Sequence, residues 1–550
     1  MSEVKLDHFR RAVADISAHG DNDTLPFDVD NWFIAQCPED LANLAFEWSN
    51  RVAKVDKKTA KRLIEELPVF SERLLVPTGS AGFRITTKIH PFWNVYFNGL
   101  GIAIAEALEP KRSSRVHSYR FVPSGDSLFN RDSSWRAFRQ ATIDECPEAS
   151  SGAVVVQTDI SSFYEHVSHH RLENLIDDLF GPSSNLAVQI DRFLSKFAAG
   201  RSFGLPVGGQ CSRVLAELLL TSIDSTLTVE GIAWRRYVDD FVLITANQSE
   251  AYRALSILSH ALADYGLTLN RTKTIILTAK HYVDYVETQL GTSDDQANRL
   301  AEIDLKFDPY SDTRDSDYDE LREIVEGLDV RALLDNELHK AQPDTFLVTQ
   351  IGRTLTLHEP SAAFHLCRTL LSPGNLHSFR ASWATIMRGV ASICADSRFV
   401  EIHGAVDRLL DSVPTHSPHL LSAEVSCLHY LRALRFRRTD ERAAFVLKMH
   451  DSTKSETVKR GCLDCWRLWK ERTIFTRERN RWNSLSTEEQ RMLWFAAAQF
   501  GDEGSKFRSQ VKKSVLNGWR LGFERGSDRE QTFAVLYSNW AEGDHHAPAN

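Results

Sequence analysis

The sequence predicts an α+β chain in which an antiparallel sheet with helices is followed by an entirely helical second half. Three observations support this prediction. Runs of β-branched and aromatic residues typical of strands lie between about residues 80 and 300. The stretch KFDPYSDTRDSDYDE (306–320) is acidic and rich in turn formers, as domain boundaries often are. Beyond it, apolar residues recur at helical spacing and prolines divide the chain into short segments.

The elements follow in this order along the chain. Residues 1–75 read as a helical extension, with KTAKRLIEELPVFSERLL as its clearest amphipathic stretch. Residues 76–300 form the mixed domain, a linker covers 301–320, a helical repeat-like domain covers 321–541, and a disordered tail covers 542–550. Strands are predicted at 151–160, 234–245 and 274–278, and helices at 212–227 and 250–266.

The composition is typical of a globular protein with roughly two to four domains. Of 550 residues, 42% are hydrophobic and 25% are charged, and the net charge is −9. This charge argues against a protein whose whole surface binds nucleic acid, but it allows a local basic channel. No apolar run approaches about 18 residues and the N-terminus lacks the apolar core of a signal peptide, so we expect no membrane partner.

The cysteines indicate a reducing environment. All eight are scattered without the spacing of a disulfide scaffold, which fits the cytoplasm. Cys462 and Cys465 form one CxxC pair inside a predicted helix. A single pair is weak evidence for zinc, so we expect both to be core or surface cysteines.

The first indication of a catalytic site is the stretch RRYVDDFVLI (235–244), where two adjacent aspartates interrupt a sequence that otherwise favours a strand. About eighty residues earlier, AVVVQTDISSFYEHV places Asp159 at the end of a β-branched run. Buried carboxylates without a cation repel one another and suffer desolvation. Carboxylates from two neighbouring strands are, in contrast, suitable ligands for Mg²⁺. Two such ions about 3.5–4 Å apart can stabilise the attacking and leaving oxygens of a nucleotidyl transfer. We therefore expect Asp159 and Asp239 to meet across neighbouring strands.

Two further stretches complete an ordered set. GLPVGGQCSRVLAELLL (204–220) contains a glycine-rich turn at the start of a helix. GLTLNRTKTIIL (266–277) contains a lysine that precedes a strand. The order of the four stretches resembles motifs A to D of the reverse transcriptase palm, and the resemblance covers residues 75–290. It implies a right-hand polymerase with fingers and palm, and the activity of an RNA-directed DNA polymerase or DNA nucleotidyltransferase. The substrates would be dNTPs, and Asp159, Asp239 and Asp240 would hold two Mg²⁺ ions, with Mn²⁺ as the alternative metal.

The resemblance also assigns roles to residues around these carboxylates. Tyr164 would be a steric gate against the ribose 2′-hydroxyl, with a core aromatic as the alternative. Lys273 would be an acid or electrostatic partner of the leaving pyrophosphate, with an ordinary surface lysine as the alternative. The nucleotide-binding residues that it predicts are, in motif B, Gly208, Gly209 and Ser212, and, in the fingers, Arg120 first, Arg115 second, and Arg84 and Lys88 as further candidates. The histidines after motif A, at positions 166, 169 and 170, are predicted to be surface residues.

Motif B departs from the pattern of retroviral and group II intron enzymes. Val207 stands where they carry glutamine, and Arg213 where a proline often follows the motif-B serine. The variant LPVGGQCSRVLAELLL, together with the helical second half, resembles the bacterial abortive-infection reverse transcriptases of the AbiK-like branch. That branch implies a cytoplasmic bacterial protein of antiphage defence. It would make DNA without a template or together with a non-coding RNA, and some members are protein-primed. It would also form homo-oligomers, trimers or hexamers. Some relatives prime from a tyrosine near the N-terminus, but no tyrosine precedes Tyr96 here.

Two alternatives stay open at this point. One is a conventional RNA-templated reverse transcriptase, retron-like or intron-derived. The other is a non-catalytic protein whose palm-like fold binds nucleic acid. The first is disfavoured by Val207 and by the helical second half, and the second by three clustered carboxylates that would be costly without a metal.

Overall fold

The computed structural model describes most of the chain. The described residues are 4–79, 82–125, 127–130, 132–147, 152–290, 296–302, 321–322, 324–340, 343–524 and 531–543. The predicted linker from residue 303 onwards and the predicted tail from residue 544 onwards lie outside them.

The N-terminal region consists of four helices and a β-hairpin. They are α1 (Leu6–His19), α2 (Val29–Gln36), α3 (Pro38–Ala53), α4 (Lys57–Glu65), β1 (Ser71–Thr78) and β2 (Gly82–Ile89). The two strands pair antiparallel from Ser71 opposite Ile89 to Thr78 opposite Gly82. Residues 1–75 are mostly helical, as predicted, but the last helix ends at Glu65, because Pro68 follows it and the next residues pair with β2.

A four-stranded antiparallel sheet forms the centre of the first half. Its strands are β3 (Val154–Asp159), β4 (Ala233–Tyr237), β5 (Asp240–Thr245) and β6 (Ile275–Thr278), in the spatial order β4-β5-β3-β6. Both faces of the sheet are covered, since Val154 and Val156 belong to one apolar core whereas Val155 belongs to another. Burial on both faces explains why β3 is continuously apolar instead of alternating. All three predicted strand regions contain a strand.

Helices surround this sheet. They are α5 (Pro91–Leu108), α6 (Trp135–Asp144), α7 (Phe163–His166), α8 (His169–Phe180), α9 (Leu186–Phe197), α10 (Gln210–Val229), α11 (Gln248–Ala263), α12 (Ala279–Leu290) and α13 (Gln296–Glu302). Helices α5 and α10 approach very closely, because a Cβ on Gly101 would lie 2.6 Å from the Cα of Cys211. Helices α6 and α12 cover the opposite face through Phe138, Tyr282 and Val286.

In the described part of the second half, every named element is helical. The helices are α14 (Val330–Leu338), α15 (Thr345–Thr354), α16 (Pro360–Leu370), α17 (Pro373–Ser378), α18 (Trp383–Ala395), α19 (Val400–His416), α20 (Glu424–Leu434), α21 (Asp440–Ser452), α22 (Glu456–Trp469), α23 (Arg472–Asn480), α24 (Thr487–Ala496), α25 (Gly501–Gly518) and α26 (Phe533–Glu542). Helices α15, α18, α20, α22 and α24 pack in one row, and α16, α19 and α21 pack in a second. Two rows of alternating helices are typical of a helical repeat architecture. The predicted fold class is confirmed.

The second half packs directly on the first. Glu72 of β1 accepts hydrogen bonds from the backbone N–H groups of Glu456 (3.1 Å) and Thr457 (2.9 Å) at the start of α22. The C-terminal helix α26 returns to α2, where the rings of Phe33 and Tyr537 lie 4.8 Å apart. The row formed by α15, α18, α20, α22 and α24 is thereby fixed against the β1–β2 hairpin, and α26 is fixed against the N-terminal region.

Within the described residues, none of the helices combines the length and the apolar character that crossing a bilayer requires. All eight cysteines are free thiols. Cys462 and Cys465 are both buried in α22, so the prediction that they are ordinary core or surface cysteines is confirmed.

Candidate active site

Three carboxylates meet at one end of the central sheet. Asp159 is the last residue of β3 and stands directly opposite Asp240, the first residue of β5, in the antiparallel register. Asp239 occupies the turn between β4 and β5, and its carbonyl accepts a hydrogen bond from the N–H of Ile160 at 3.3 Å. Directly opposed residues of antiparallel strands have Cα atoms about 4.5–5.5 Å apart. The structure thus brings the two halves of the predicted carboxylate set together on neighbouring strands.

The electrostatics of this cluster are unbalanced. Burial, then the charges of Asp159 and Asp240, raise the pKa of Asp239 to about 7. Burial and Asp159 raise the pKa of Asp240 to about 6, against an opposing effect of Lys273. Desolvation and like charges both disfavour the ionised form of a carboxyl. The cluster therefore favours any cation that can share these oxygens.

Lys273 supplies one positive charge at the edge of the cluster. Its Nζ lies 2.6 Å from Oδ2 of Asp159, and 65% of its side chain is exposed. The hydrogen bond to Asp159 raises the pKa of Lys273. Asn270, which sequence reasoning missed, donates its backbone N–H to the carbonyl of Asp159 at 2.7 Å and fixes the loop that carries the lysine. Lys273 is thus placed beside the carboxylates, where motif D predicts it.

A buried ion-pair network positions the turn that carries Asp239. We call Arg112, Ser118, Glu217, Asp224 and Arg236 the hairpin-support network. Arg236 pairs with Asp224 at 2.7 Å and with Glu217 at 3.0 Å, and it donates to the carbonyl of Val238 at 2.9 Å. Ser118 Oγ accepts the N–H of Val238 at 2.9 Å and donates to Glu217.

The same network explains how an unusual backbone conformation is held. Val238 has a φ of 53°, which is costly for a β-branched residue, and both of its backbone polar groups are bound by the network. Sequence reasoning missed these residues, although the Arg235–Arg236 pair before the aspartates was a visible signal. The network therefore fixes the backbone of the turn that carries Asp239.

Tyr164 lies in the first turn after Asp159, in α7. Burial raises the pKa of its hydroxyl well above the usual value, and Tyr119 and Asp239 add to this effect. Arg213 lies nearby, with its guanidinium 5.1 Å from the ring centre of Tyr119. Tyr164, Tyr119 and Arg213 therefore form an aromatic and cationic wall next to the carboxylates. Tyr119 and Arg213 were not predicted to be part of the site.

Motif B is contacted by a loop of the N-terminal region. Gly208 has a φ of +104°, and a Cβ there would lie 2.6 Å from the Cβ of Asn22. Arg213 pairs with Asp23 of the same loop at 2.9 Å. Gly209 precedes α10, and Ser212 is fully buried with no hydrogen-bond partner for its Oγ among the described residues. The loop, and not open solvent, lies against the glycine that was predicted to approach the nucleotide.

The four basic residues that the sequence assigned to the fingers lie in different environments. Arg120 pairs with Glu109 at 2.6 Å, and Arg115 pairs with Glu145 at 2.8 Å. Lys88 is buried and pairs with Asp21 and with Asp28, the latter at 2.8 Å. Arg84 is exposed. The suggestion that Lys88 grips a triphosphate was therefore wrong in this conformation, since burial and carboxylates commit it to the interior. Arg120 and Arg115 are placed in ion pairs with protein carboxylates.

Of the three histidines after motif A, two are exposed as predicted, at positions 166 and 170. His169 is buried, and its Nε2 lies 2.7 Å from the carbonyl oxygen of Gly204. The surface prediction was wrong for His169, because α8 begins against the strand-like segment before motif B.

The three carboxylates suit a metal that takes part of its coordination from a substrate. Mg²⁺ retains waters and binds through one or two carboxylates together with phosphate oxygens. In the described part of the chain, no three or more His, Cys, Asp or Glu side chains are arranged so that they could hold a metal ion by themselves, so an ion at these carboxylates would need oxygens from a substrate or water. The oxygen-only donor set and the raised pKa values of Asp239 and Asp240 fit a hard divalent cation.

The carboxylates lie in a part of the chain that is similar to known proteins. Residues 103–290 match the family model described as reverse transcriptase (RNA-dependent DNA polymerase). Telomerase reverse transcriptase of Mus musculus is 34% identical over 77 residues, which cover 13% of this chain and 7% of the relative. The protein of the same name from Rattus norvegicus matches with the same identity and coverage. The chain thus spans 7% of the length of these curated relatives.

Solved structures with weak overall similarity include telomerase from Candida albicans in complex with a TWJ fragment of telomeric RNA. It has a TM-score of 0.28 and 14% identity, and the match covers 67% of this chain and 69% of that one. Apo telomerase from Candida tropicalis has a TM-score of 0.29 and 13% identity, with 64% and 65% covered. The stretches that resemble motifs A to D all lie within residues 103–290, the part that matches the reverse transcriptase family model.

Proposed function

We propose that the chain is a DNA polymerase of the reverse transcriptase type that transfers nucleotidyl groups from dNTPs to a hydroxyl. The observation that carries this proposal is the register of the central sheet, which sets Asp159 opposite Asp240 and next to Asp239. Three converging carboxylates with one exposed lysine form a poor structural core. They form a good site for divalent cations and a triphosphate.

Each side chain has a distinct task in this proposal. Asp159 and Asp239 would hold two Mg²⁺ ions, which polarise the phosphoryl group and neutralise developing charge when bound, and Asp240 shapes the field around them. Lys273 keeps a proton at Nζ beside Asp159, where it can be given to the leaving pyrophosphate. The ring of Tyr164 limits the space beside the sugar. Arg213 and Tyr119 close the same side of the site.

The finer assignment is to antiphage defence in the bacterial cytoplasm, with AbiK-like DNA synthesis that is template-independent or guided by a non-coding RNA. Support comes from the motif-B variant with Val207 and Arg213, and from the two rows of helices that follow the palm. Protein priming and homo-oligomers, trimers or hexamers, belong to this proposal, as does a bound DNA product. Residues 1–95 contain no tyrosine, so the priming tyrosine of some relatives has no counterpart among them.

The second candidate is conventional RNA-templated synthesis. It is favoured by the description of the matching family model and by the telomerase reverse transcriptases among the relatives. The two candidates share all catalytic side chains and differ in whether a template strand directs the product.

A single assay separates them. Purified protein is incubated with Mg²⁺ and one labelled dNTP at a time, with and without an RNA template. Extension without template supports the defence-type activity, whereas extension by the complementary nucleotide alone supports templated synthesis. Nuclease and protease treatment of the product then shows whether DNA is joined to the protein.

The Asp239→Ala, Asp240→Ala double variant is the control, and EDTA addition is a second one. If the double variant extends DNA as well as the wild type, the activity does not come from this site. If the wild-type protein with Mg²⁺ yields no product from any dNTP, with template or without, the polymerase proposal is overturned.

A further inference from the structure

Arg213, in the first half of α10, carries a positive charge next to the proposed steric gate. Its guanidinium lies over the ring of Tyr119, 5.1 Å from the ring centre. Burial is the main cause of the raised pKa of Tyr164, and among the charges that act on this hydroxyl, Arg213 lowers the pKa and Asp239 raises it. The hydroxyl of Tyr164 is therefore within reach of both charges. Arg213 thus lies at the edge of the polymerase site, although motifs A to D assign no role to it.

The partners of this guanidinium within the protein are weak ones. Nη2 of Arg213 lies 2.9 Å from Oδ2 of Asp23, whose side chain is 59% exposed. Nη1 donates to Oε1 of Gln210, a neutral amide, at 3.0 Å. An ion pair with an exposed carboxylate contributes little, because water screens it. A phosphate has more charge and more acceptor oxygens than a carboxylate, and the planar fork of arginine matches its geometry.

The loop that carries Asp23 is held from behind, so its carboxylate is presented at a fixed place. Asn22 Oδ1 accepts the N–H of Thr24 at 3.0 Å, and the carbonyl of Thr24 accepts a hydrogen bond from Nε2 of His429 at 2.8 Å. On the motif-B side, a Cβ on Gly208 would lie 2.6 Å from the Cβ of Asn22 and 3.0 Å from Oδ1 of Asp23. The loop therefore sets an internal anion beside the glycine that is predicted to approach the nucleotide.

We propose that Arg213 binds a phosphate of the polymerase substrate, either of the incoming dNTP or of the nucleic-acid strand, and that this phosphate displaces Asp23. Asp23 is then a positioning residue, which holds the guanidinium at the site and competes with the substrate for it. The inference rests on the proposed function. It adds a phosphate-binding residue at the position where a proline often follows the motif-B serine.

Calorimetric titration without turnover tests the proposal. The full chain is titrated in Mg²⁺ with a dNTP analogue whose α,β-methylene bridge prevents transfer and, separately, with a single-stranded DNA oligonucleotide. Asp23→Asn removes the competing charge and should tighten the binding of one probe by about two- to five-fold. Arg213→Gln should weaken the same probe about ten-fold or more, and Arg213→Lys, which keeps the charge without the fork, should lie between. The probe on which these variants act identifies the source of the phosphate.

Two exposed residues supply the matched controls. Asp178→Asn in α8 and Arg408→Gln in α19 should leave both affinities unchanged. In the double variant Asp23→Asn, Arg213→Gln, the gain from Asp23→Asn should disappear, because Asp23 acts through Arg213. Since the ion pair includes an exposed carboxylate, the Tm of Asp23→Asn should stay close to that of the wild type.

Several results would overturn the proposal. They are no binding of either probe at millimolar concentration, wild-type affinities in Arg213→Gln, an Asp23→Asn variant that binds neither probe more tightly, and a gain that persists in the double variant. Weaker binding in Asp23→Asn together with a lower Tm would mean that the pair serves the fold. The titration requires no transfer, so a wild type that incorporates no dNTP overturns the polymerase proposal, whereas these affinities still report on Arg213.

Discussion

Two charged clusters contact the same aspartate turn, and their charges are balanced in opposite ways. The hairpin-support network sets the guanidinium groups of Arg112 and Arg236 against the carboxylates of Glu217 and Asp224. The active-site cluster sets three carboxylates against one largely exposed lysine. One cluster is balanced within the protein, whereas the other is balanced only if a cation arrives from outside.

The difference is visible in the pKa values of Glu217 and Asp239, although burial still raises the pKa of Asp224 within the network. Burial alone would raise the pKa of Glu217, but Arg236 and Arg112 outweigh it and lower the pKa. At Asp239 burial and neighbouring carboxylates act in the same direction and raise the pKa. A buried carboxyl held ionised by arginines stabilises a conformation, and one left without a partner is available for a metal or substrate.

The largest effect is expected on activity. Asp239→Asn removes one ligand charge from the proposed metal site, and we expect nucleotide incorporation to fall by roughly 10³-fold or more, about 4 kcal/mol of barrier. Because the substitution also relieves repulsion, the magnesium-free protein should unfold at the same or a higher temperature. Asp178→Asn, an exposed carboxyl of α8, is the control for both measurements. A variant that lost activity together with a large drop in Tm would indicate a structural role for Asp239.

The reverse pattern is expected in the support network. Glu217→Gln leaves Arg112 and Arg236 with less negative charge, and removing one member of a buried ion pair costs about 3 kcal/mol or more. Thermal unfolding followed by circular dichroism should show a clearly lower Tm, and Mg²⁺ should not restore it. Glu287→Gln on the exposed face of α12 should leave Tm unchanged. An unchanged Tm in Glu217→Gln would contradict the structural assignment of the network.

A smaller effect is expected on sugar selection at the wall beside the carboxylates. Tyr164→Ala should reduce the preference for dNTP over rNTP by about 10–100-fold, since a pocket discriminates a small group by about 1–3 kcal/mol. Tyr164→Phe keeps the ring and should keep the preference. Single-nucleotide incorporation with paired dNTP and rNTP substrates measures the ratio. Equal ratios in the wild type and Tyr164→Ala would exclude Tyr164 as the gate.

The smallest effect is a pH dependence with a definite sign. The pKa of Asp239, about 7 in the folded protein, lies above the usual value of 3.8, so its contribution to stability is present at low pH and is lost as the pH rises towards 7. In magnesium-free buffer, the stability advantage of Asp239→Asn over the wild type should therefore grow between pH 5 and pH 8, by up to about 2 kcal/mol. The pKa of Glu217 is lowered, so its contribution is lost only as the pH falls below about 4.5.

Chemical denaturation of both variants at several pH values measures these curves. The difference between Glu217→Gln and the wild type should stay flat from pH 5 to pH 8. A flat curve for Asp239→Asn as well would mean that its carboxyl has an ordinary environment.

The sequence by itself determined the strands and the order of the catalytic motifs, because both are local. A β-branched run that ends in Asp159, a strand that begins with Asp240 and a lysine before β6 are properties of short segments, and antiparallel pairing then leaves few arrangements. The α-helical second half was also visible, since helical periodicity is a local pattern.

The tertiary structure alone decided which charges are paired. Lys88 and Arg432 look alike as basic residues near predicted elements, yet Lys88 lies buried among aspartates, whereas Arg432 has no carboxylate partner among the described residues. Likewise, only the fold places Asn22 on Gly208 and links Glu217 to the backbone of Val238 through Arg236 and Ser118. Burial and charge balance depend on neighbours far apart in the chain, and the desolvation cost of a charge is set by those neighbours and not by the residue itself.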